Sequence, residues 1–217
     1  TRNYFVSYLL LLFGKEVVLE VHHDTNVEGR ITKFILKYLN FFNKVNLLNI
    51  VAISNAVKKL FINKYKVDSK KITVLPSGSS IRVAYKPKLN FNKRLKIGYF
   101  GSLSTSKGIN VLIRLSKIDS DNDYFIYGGS QKEIRELKKK NTNKNLFLNQ
   151  SISYRILPKV MMRMDILTLP YANIIKSAGE VDDISKYTSP LKLFDYLAVG
   201  KTIISSDLKV LREVIDT

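Results

Sequence analysis

The stretch LKIGYFGSLSTSKG, residues 95–108, decides how the chain reads. Leu95 to Phe100 is a short apolar, β-forming run, Gly101 to Ser106 is a turn of small residues, and a helical apolar period starts beyond Lys107. Strand, small-residue turn and helix start, in that order, form the unit from which parallel α/β sheets are built. At the carboxyl end of a parallel strand, the free N–H groups and positive dipole end of the following helix attract phosphate, and Lys107 adds a full charge there. The motif is neither G-x-G-x-x-G nor a P-loop. Taken alone, an ordinary turn carrying a solvated lysine is its commoner meaning.

The same rhythm runs outward in both directions. β-branched runs predict strands near Glu16–Val21, Ile50–Ile53, Thr73–Leu75, Lys96–Phe100, Tyr124–Tyr127, Leu146–Leu148, Ile166–Leu169 and Thr202–Ser205. Amphipathic stretches between them predict helices around Gly29–Phe42, Ser54–Lys64, Lys107–Lys117, Gln131–Lys140, Tyr154–Met162, Pro190–Val199 and Leu208–Val214. The longest apolar run, Tyr4 to Phe13, is broken by Ser7 and too short to cross a bilayer, so it reads as a buried helix. Ser77 to Arg94, with Gly78, Pro87 and a cluster of lysines, has no clean period and reads as a linker. The expected division is residues 1–88, the later half of an acceptor-side Rossmann-like domain plus linker, and residues 89–217, a second Rossmann-like domain without its last elements.

The 217 residues carry 36 Lys and Arg against 18 Asp and Glu, a net charge of +18. Residues 1–88 hold 15 of the bases and 5 of the acids, net +10, and the remainder is net +8. Such a field draws a protein toward nucleic acid, anionic lipid or phosphorylated ligands. Abundant Lys, Asn and Ile throughout is also the mark of a compositionally biased genome. The absence of cysteine excludes disulfides and thiolate metal sites and fits a reducing, cytoplasmic compartment. Two histidines cannot form a metal cluster by themselves, and no metal or resident cofactor is expected.

A second helix start follows at SPLKLFDYLAVGK, residues 189–201. Ser189 suits an N-cap, Pro190 a first helical position and Gly200 a left-handed stop. Leu191, Phe194 and Ala198 share one helical face, expected to meet the core, and Lys192, Asp195 and Val199 share another. Lys192 and Asp195 then form either a plain surface ion pair or part of an anion site, in which the amides near Ser189 to Leu191 hold diphosphate and Asp195 accepts from vicinal ribose hydroxyls.

These residues resemble the retaining family-4 glycosyltransferases of the GT-B fold, in the subgroup whose signature reads S-P-L-K-x-F-E-Y-x-A-x-G-K. VAISNA (51–56), KITVLPSG (71–78), residues 101–108 and DILTLP (165–170) match in the expected order, so the resemblance spans nearly the whole chain. It implies two Rossmann-like domains with parallel sheets, the donor in the cleft between them, and this chain as a fragment lacking both ends, inactive alone. It implies a hexosyl group moved with retention from a nucleotide-diphosphate sugar, without metal, to a glycan or lipid-linked acceptor in cell-envelope synthesis. By position, Gly101, Ser102 and Lys107 match the first phosphate loop, Gln150, Ser151 and Ile152 the stretch that touches the base, and Ser189, Pro190, Leu191, Lys192 and Asp195 the second phosphate and ribose site. Lys107 and His22 take the catalytic positions; His22 lies in EVHHD (20–24), and His23 competes with it for the place facing the sugar.

Three departures accompany the match. Ser102 stands where an arginine is usual, Tyr187 where a second acid is usual, and Asp195 is one methylene shorter than the usual glutamate. The positive first half suits peripheral contact with an anionic membrane at the inner face. The rival readings are a basic nucleic-acid-binding protein, disfavoured because Tyr and Phe sit in apolar runs instead of alternating with bases, and a nucleotide-sugar-binding or epimerising protein on the same architecture.

Overall fold

The computed structural model describes residues 1–82, 93–174, 185, 187 and 189–215. The expected boundary between residues 88 and 89 and most of the expected linker lie outside the described residues. The elements in chain order are α1 (Tyr4–Leu12), β1 (Val17–Val21), α2 (Arg30–Tyr38), β2 (Leu47–Ala52), α3 (Asn55–Tyr65), β3 (Ile72–Val74), β4 (Lys96–Phe100), α4 (Ile109–Ile118), β5 (Asp123–Tyr127), α5 (Gln131–Lys140), β6 (Leu146–Asn149), α6 (Leu157–Met161), β7 (Ile166–Leu169), α7 (Leu191–Val199), β8 (Thr202–Ser205) and α8 (Lys209–Ile215). They form two compact units. One holds α1 to β3 with Tyr187, Ser189 and α8; the other holds residues 78–82, β4 to β7, α7 and β8.

In the first unit β1, β2 and β3 lie side by side in that order, all parallel, with Val21 opposite Ala52 and Ala52 opposite Val74. Leu19, Leu47, Ile50 and Ala52 point into a core closed by Phe41, Val57 and Phe61, all fully buried. Ser54 ends the loop after β2 and caps α3, its Oγ accepting from the Val57 amide at 3.3 Å. The Asn55 amide donates to Glu213 on α8 at 2.9 Å. Helix α1 forms where expected but is not a buried helix. Tyr4, Ser7 and Leu11 are buried and Tyr8 is half-buried, but Phe5, Val6, Leu9, Leu10 and Leu12 are exposed. Helix α2 stops at Tyr38, short of the expected Phe42, because Asn40 adopts a left-handed conformation (φ 47°) that ends it.

The second unit is a five-stranded parallel sheet in the order β6-β5-β4-β7-β8. The chain starts at the centre with β4, builds outward through β5 and β6, then returns to place β7 on the other side of β4. The order therefore reverses between β4 and β7, and the crevice beyond the carboxyl ends of such strands is where open α/β sheets bind ligands. All four residues of β7 are buried, as a strand covered on both faces requires. Helix α5 opens with a reciprocal capping box between Ser130 and Glu133.

Candidate functional site

At the switch point the loops after β4 and β7 are locked together. Gly101 (φ 149°) and Gly108 (φ 81°) hold conformations that side-chain-bearing residues rarely adopt, and a Cβ at Gly108 would collide with the Pro170 carbonyl. The Ala172 amide donates to the Ser106 carbonyl at 3.1 Å. The turns after β4, β5 and β6 are laced in the same way. Gly101 N–H reaches the Tyr127 carbonyl at 2.9 Å, Gly128 N–H the Asn149 carbonyl at 3.0 Å, and Ser151 N–H the Gly129 carbonyl at 3.0 Å. Backbone turns carrying Gly101, Gly128 and Gly129 thus line one rim.

These turns bound a cavity of about 500 Å³ whose walls include Gly101, Ser102, Gly128, Gly129, Ser151, Ile152, Lys192 and Asp195. Six of the residues expected at a nucleotide site, drawn from three separated stretches of sequence, therefore meet in one place. Helix α7 supplies two of them. Lys192 runs along Gly101 so closely that a Cβ there would strike its ammonium, and it donates to the Tyr99 hydroxyl at 3.1 Å. Tyr99 in turn donates to the Ser102 carbonyl at 2.7 Å, so the turn is held through its backbone. Burial, with the nearby Lys107 adding to it, pushes the Lys192 ammonium down to about 7.

Lys107 lies in a short 3₁₀ turn, Thr105–Lys107, before α4 and not in the helix itself. Its ammonium stands 5.4 Å from the centre of the Tyr171 ring, and that of Lys192 stands 5.2 Å from the same ring. Two lysines 85 residues apart in sequence, one from a turn and one from α7, thus converge on one aromatic side chain at the switch point. Burial lowers the Lys107 pKa as well, and it raises that of the Tyr171 phenol to about 12.

Asp195 is buried and does not pair with Lys192. Its Oδ1 accepts from Ser79 at 2.6 Å and from Tyr154 at 2.9 Å. The plain surface ion pair is therefore not formed. The phase of α7 also differs from expectation. Leu193, Tyr196 and Val199 enter the core with Asp195, and Leu191 is 61% exposed. Buried Tyr196 fixes that phase by accepting the Phe100 amide at 3.0 Å.

Ser189 does not cap α7. Pro190 occupies the cap, no side chain closes the helix end, and Ser189 Oγ accepts the Ser77 amide at 3.1 Å within the first unit. With no cap, the first-turn amides of α7 keep their partial positive charge. Gly200 ends the helix in the left-handed conformation (φ 68°), as its type predicts. Gln150, Pro190 and Leu191 are not part of the cavity wall.

Both histidines lie at the carboxyl end of β1 in the first unit, around a smaller cavity of about 170 Å³ shared with Arg2, Tyr4, Glu20, Val21 and Glu28. His22 Nε2 meets Glu20 Oε1 at 2.6 Å, and Arg2 reaches the same oxygen at 3.0 Å. The His22 bond is the main reason Glu20 sits below the usual carboxylate range; burial opposes this and Arg2 adds to it. His23 Nδ1 donates to the Asp24 carbonyl at 3.0 Å. Tyr187 packs against the core of the same unit, and its carbonyl accepts from Ser54 at 3.2 Å.

Sequence reasoning missed Tyr99, Tyr127, Tyr154, Tyr171 and Ser79. The Gly128-Gly129 pair right after β5 was a readable signal, because paired glycines at a strand's carboxyl end permit close backbone approach. Among the described residues no group of three or more His, Cys, Asp or Glu could hold a metal ion, and no helix is long and apolar enough to cross a membrane.

No protein-family model matches the chain, and no curated protein matches it in sequence. Solved structures match its fold. One is the Anabaena protein Alr3699/HepE in complex with UDP, at a TM-score of 0.66 and 14% identity, over 94% of this chain and 56% of that one. A glycosyltransferase from Rickettsia africae ESF-5 matches at 0.60 and 15% identity, over 98% of this chain and 63% of that one. The lipopolysaccharide outer core galactosyltransferase WaaB, in its apo form, matches at 0.62 and 15% identity, over 94% of this chain and 53% of that one. The chain spans little more than half the length of these neighbours. The architecture it shares with them, parallel sheets of three and five strands flanked by helices, is the GT-B fold.

Proposed function

We propose that the chain belongs to a metal-independent glycosyltransferase that holds a nucleotide-diphosphate sugar in the cavity of the second unit and transfers its hexosyl group with retention to an acceptor hydroxyl. The observation that carries this reading is the meeting of Lys107 and Lys192 on Tyr171 at the strand-order reversal, with Asp195 in the wall of the adjoining cavity. A volume of about 500 Å³ suits a nucleotide-sized ligand. In this reading the diphosphate lies against the Gly101 turn and the uncapped start of α7, the ribose against Asp195, and the base along Ser151 and Ile152. As the sugar–oxygen bond breaks, charge grows on the leaving diphosphate, and fixed amides with two lysines stabilise it without a divalent ion. His22, held by Glu20, is the residue assigned to the transferred sugar.

Glycan or lipid-linked acceptors of the cell envelope fit the basic, apolar surface of the first unit. There Ile31, Phe34 and Tyr38 are exposed on α2, the helix that carries Arg30, Lys33 and Lys37. Binding at low salt to anionic but not to neutral vesicles is the expected sign of that preference.

The direct test is a thermal-shift screen against UDP-, GDP- and ADP-sugars. A hundredfold excess over Kd stabilises a protein by about 2.7 kcal/mol, so even a weak true donor registers. Stabilisation by one base class, lost in Lys107→Ala, supports the reading, and no response to any nucleotide sugar at millimolar concentration refutes it. Product analysis with radiolabelled donor then separates transfer, which yields a new glycoside, from epimerisation, which yields an isomeric sugar.

A further inference from the structure

Lys192 is placed in a way that an ordinary phosphate-binding lysine is not. Its stem covers Gly101, it lines the cavity, and among the described residues its hydrogen-bond partner is a phenol, Tyr99 at 3.1 Å, and no carboxylate lies in ion-pair reach. The titratable groups around it offer little compensation. From β4 comes Tyr99, from the loop after β7 Tyr171, and from the turn before α4 the like charge of Lys107. On its own helix, Asp195 is engaged by Ser79 and Tyr154, and the Tyr196 hydroxyl by the Phe100 amide. In the same cavity wall Tyr127 stacks on Phe100, and the Glu133 carboxylate is taken up by Ser130.

We propose that Lys192 takes a proton from solution as a diphosphate enters the cavity, so that nucleotide-sugar binding is coupled to proton uptake and weakens as the pH rises through neutrality. The inference rests on the reading of this cavity as a diphosphate site. An entering diphosphate brings negative charge against an ammonium that no carboxylate of the described residues contacts, which favours the ammonium over the amine. In the empty site burial and Lys107 hold the pKa near 7, so above neutrality the proton must be acquired during binding. Proton and anion then bind cooperatively, and affinity falls by up to about tenfold per pH unit once the free lysine is neutral.

The test is calorimetric titration of the 217-residue chain with UDP-, GDP- and ADP-glucose at pH 6 and pH 8, each in two buffers of different ionisation enthalpy. The diphosphate of these probes is esterified at both ends and does not titrate in this window, so proton exchange reports the protein. The expected result is uptake of close to one proton at pH 8 and almost none at pH 6, with Kd about tenfold weaker at pH 8. Lys192→Arg, which stays charged, is expected to bind without the uptake or the pH dependence. Lys192→Met is expected to bind weakly at both pH values. Binding with no proton exchange, or uptake unchanged in Lys192→Arg, overturns the inference while leaving the donor site in place. Failure of all three probes to bind at either pH removes the donor reading and this inference with it.

Discussion

Tyr154 donates to Asp195 Oδ1 at 2.9 Å, on the same oxygen that Ser79 holds at 2.6 Å, while Oδ2 carries no bond from the described residues. A carboxylate on a short side chain is thereby fixed at one oxygen and left with the other to accept hydroxyls. If Oδ2 meets a ribose, Asp195→Ala removes a charged hydrogen bond worth about 1.5–3 kcal/mol, and donor affinity falls roughly ten- to hundredfold. Tyr154→Phe leaves the carboxylate in place but loose, so its expected loss is smaller. Calorimetric Kd values for a nucleotide sugar and its 2′-deoxy analogue check this. Equal binding of both by the unaltered chain assigns Asp195 some other role.

Gly101 and Gly108 differ in what a methyl group would strike. At Gly101 it meets the far end of the Lys192 side chain, which can swing away; at Gly108 it meets the Pro170 carbonyl, which cannot. Gly101→Ala is therefore expected to cost about 1–3 kcal/mol of strain and to weaken donor binding by displacing the lysine. Gly108→Ala is expected to destabilise the second unit more, because two backbone segments must part. Urea titrations of both variants, followed by circular dichroism, give the order.

In the first unit Asp24 gathers Lys64 at 2.8 Å, the Asn26 amide at 3.1 Å and the Tyr65 hydroxyl. Burial raises its pKa, but those bonds together outweigh it and the net shift is downward. A carboxyl depressed on folding contributes stability above its unfolded pKa, and that contribution is lost as pH falls through the folded value. Asp24→Asn should therefore lower stability at pH 7 and flatten its decline below pH 4. Unfolding curves at pH 7 and pH 3 that move in parallel for both proteins would contradict this.

How much of this was legible in the sequence depended on how narrow the apolar pattern was. The strands β4, β7 and β8 and the helix α5 fall on the expected residues, because each is a short run or a single stripe bounded by turn residues. Helix α1 was legible as a helix but not in its burial: an apolar run interrupted only by Ser7 carries little phase, so it cannot say which side is covered. The same degeneracy misled the reading of α7. Its apolar residues leave two faces open, and the bond from the Phe100 amide of β4 to Tyr196 chooses between them. Helix α6 starts at Leu157 and not at Tyr154, because Pro158 has no N–H to donate and fits a helix only in its first turn. At the site, charged and glycine residues were readable from motif and spacing. Tyr99, Tyr154 and Tyr171 were not, since an aromatic in an apolar run looks the same whether it fills a core or carries a ligand-facing cation.

Lys192 also leaves a signature in the unliganded protein. Its folded pKa is about 7, against about 10.4 for a lysine in an unfolded chain. Between those values the unfolded chain holds a proton that the folded chain has released, so the unfolded state binds more protons and stability rises with pH. Below pH 7 both states are protonated at this position, and the folded state bears the full cost of a buried cation beside Lys107. The slope from this one group is at most about 1.4 kcal/mol per pH unit. Lys107, itself depressed by burial, and the tyrosines raised by burial shift the same curve, so the measurement is a difference between two proteins. Unfolding free energies of the parent and of Lys192→Met, from urea titrations at pH 6, 7, 8 and 9, should diverge as the pH rises, the parent gaining on the variant. A difference that stays constant across this range would mean that Lys192 keeps its proton in the empty cavity.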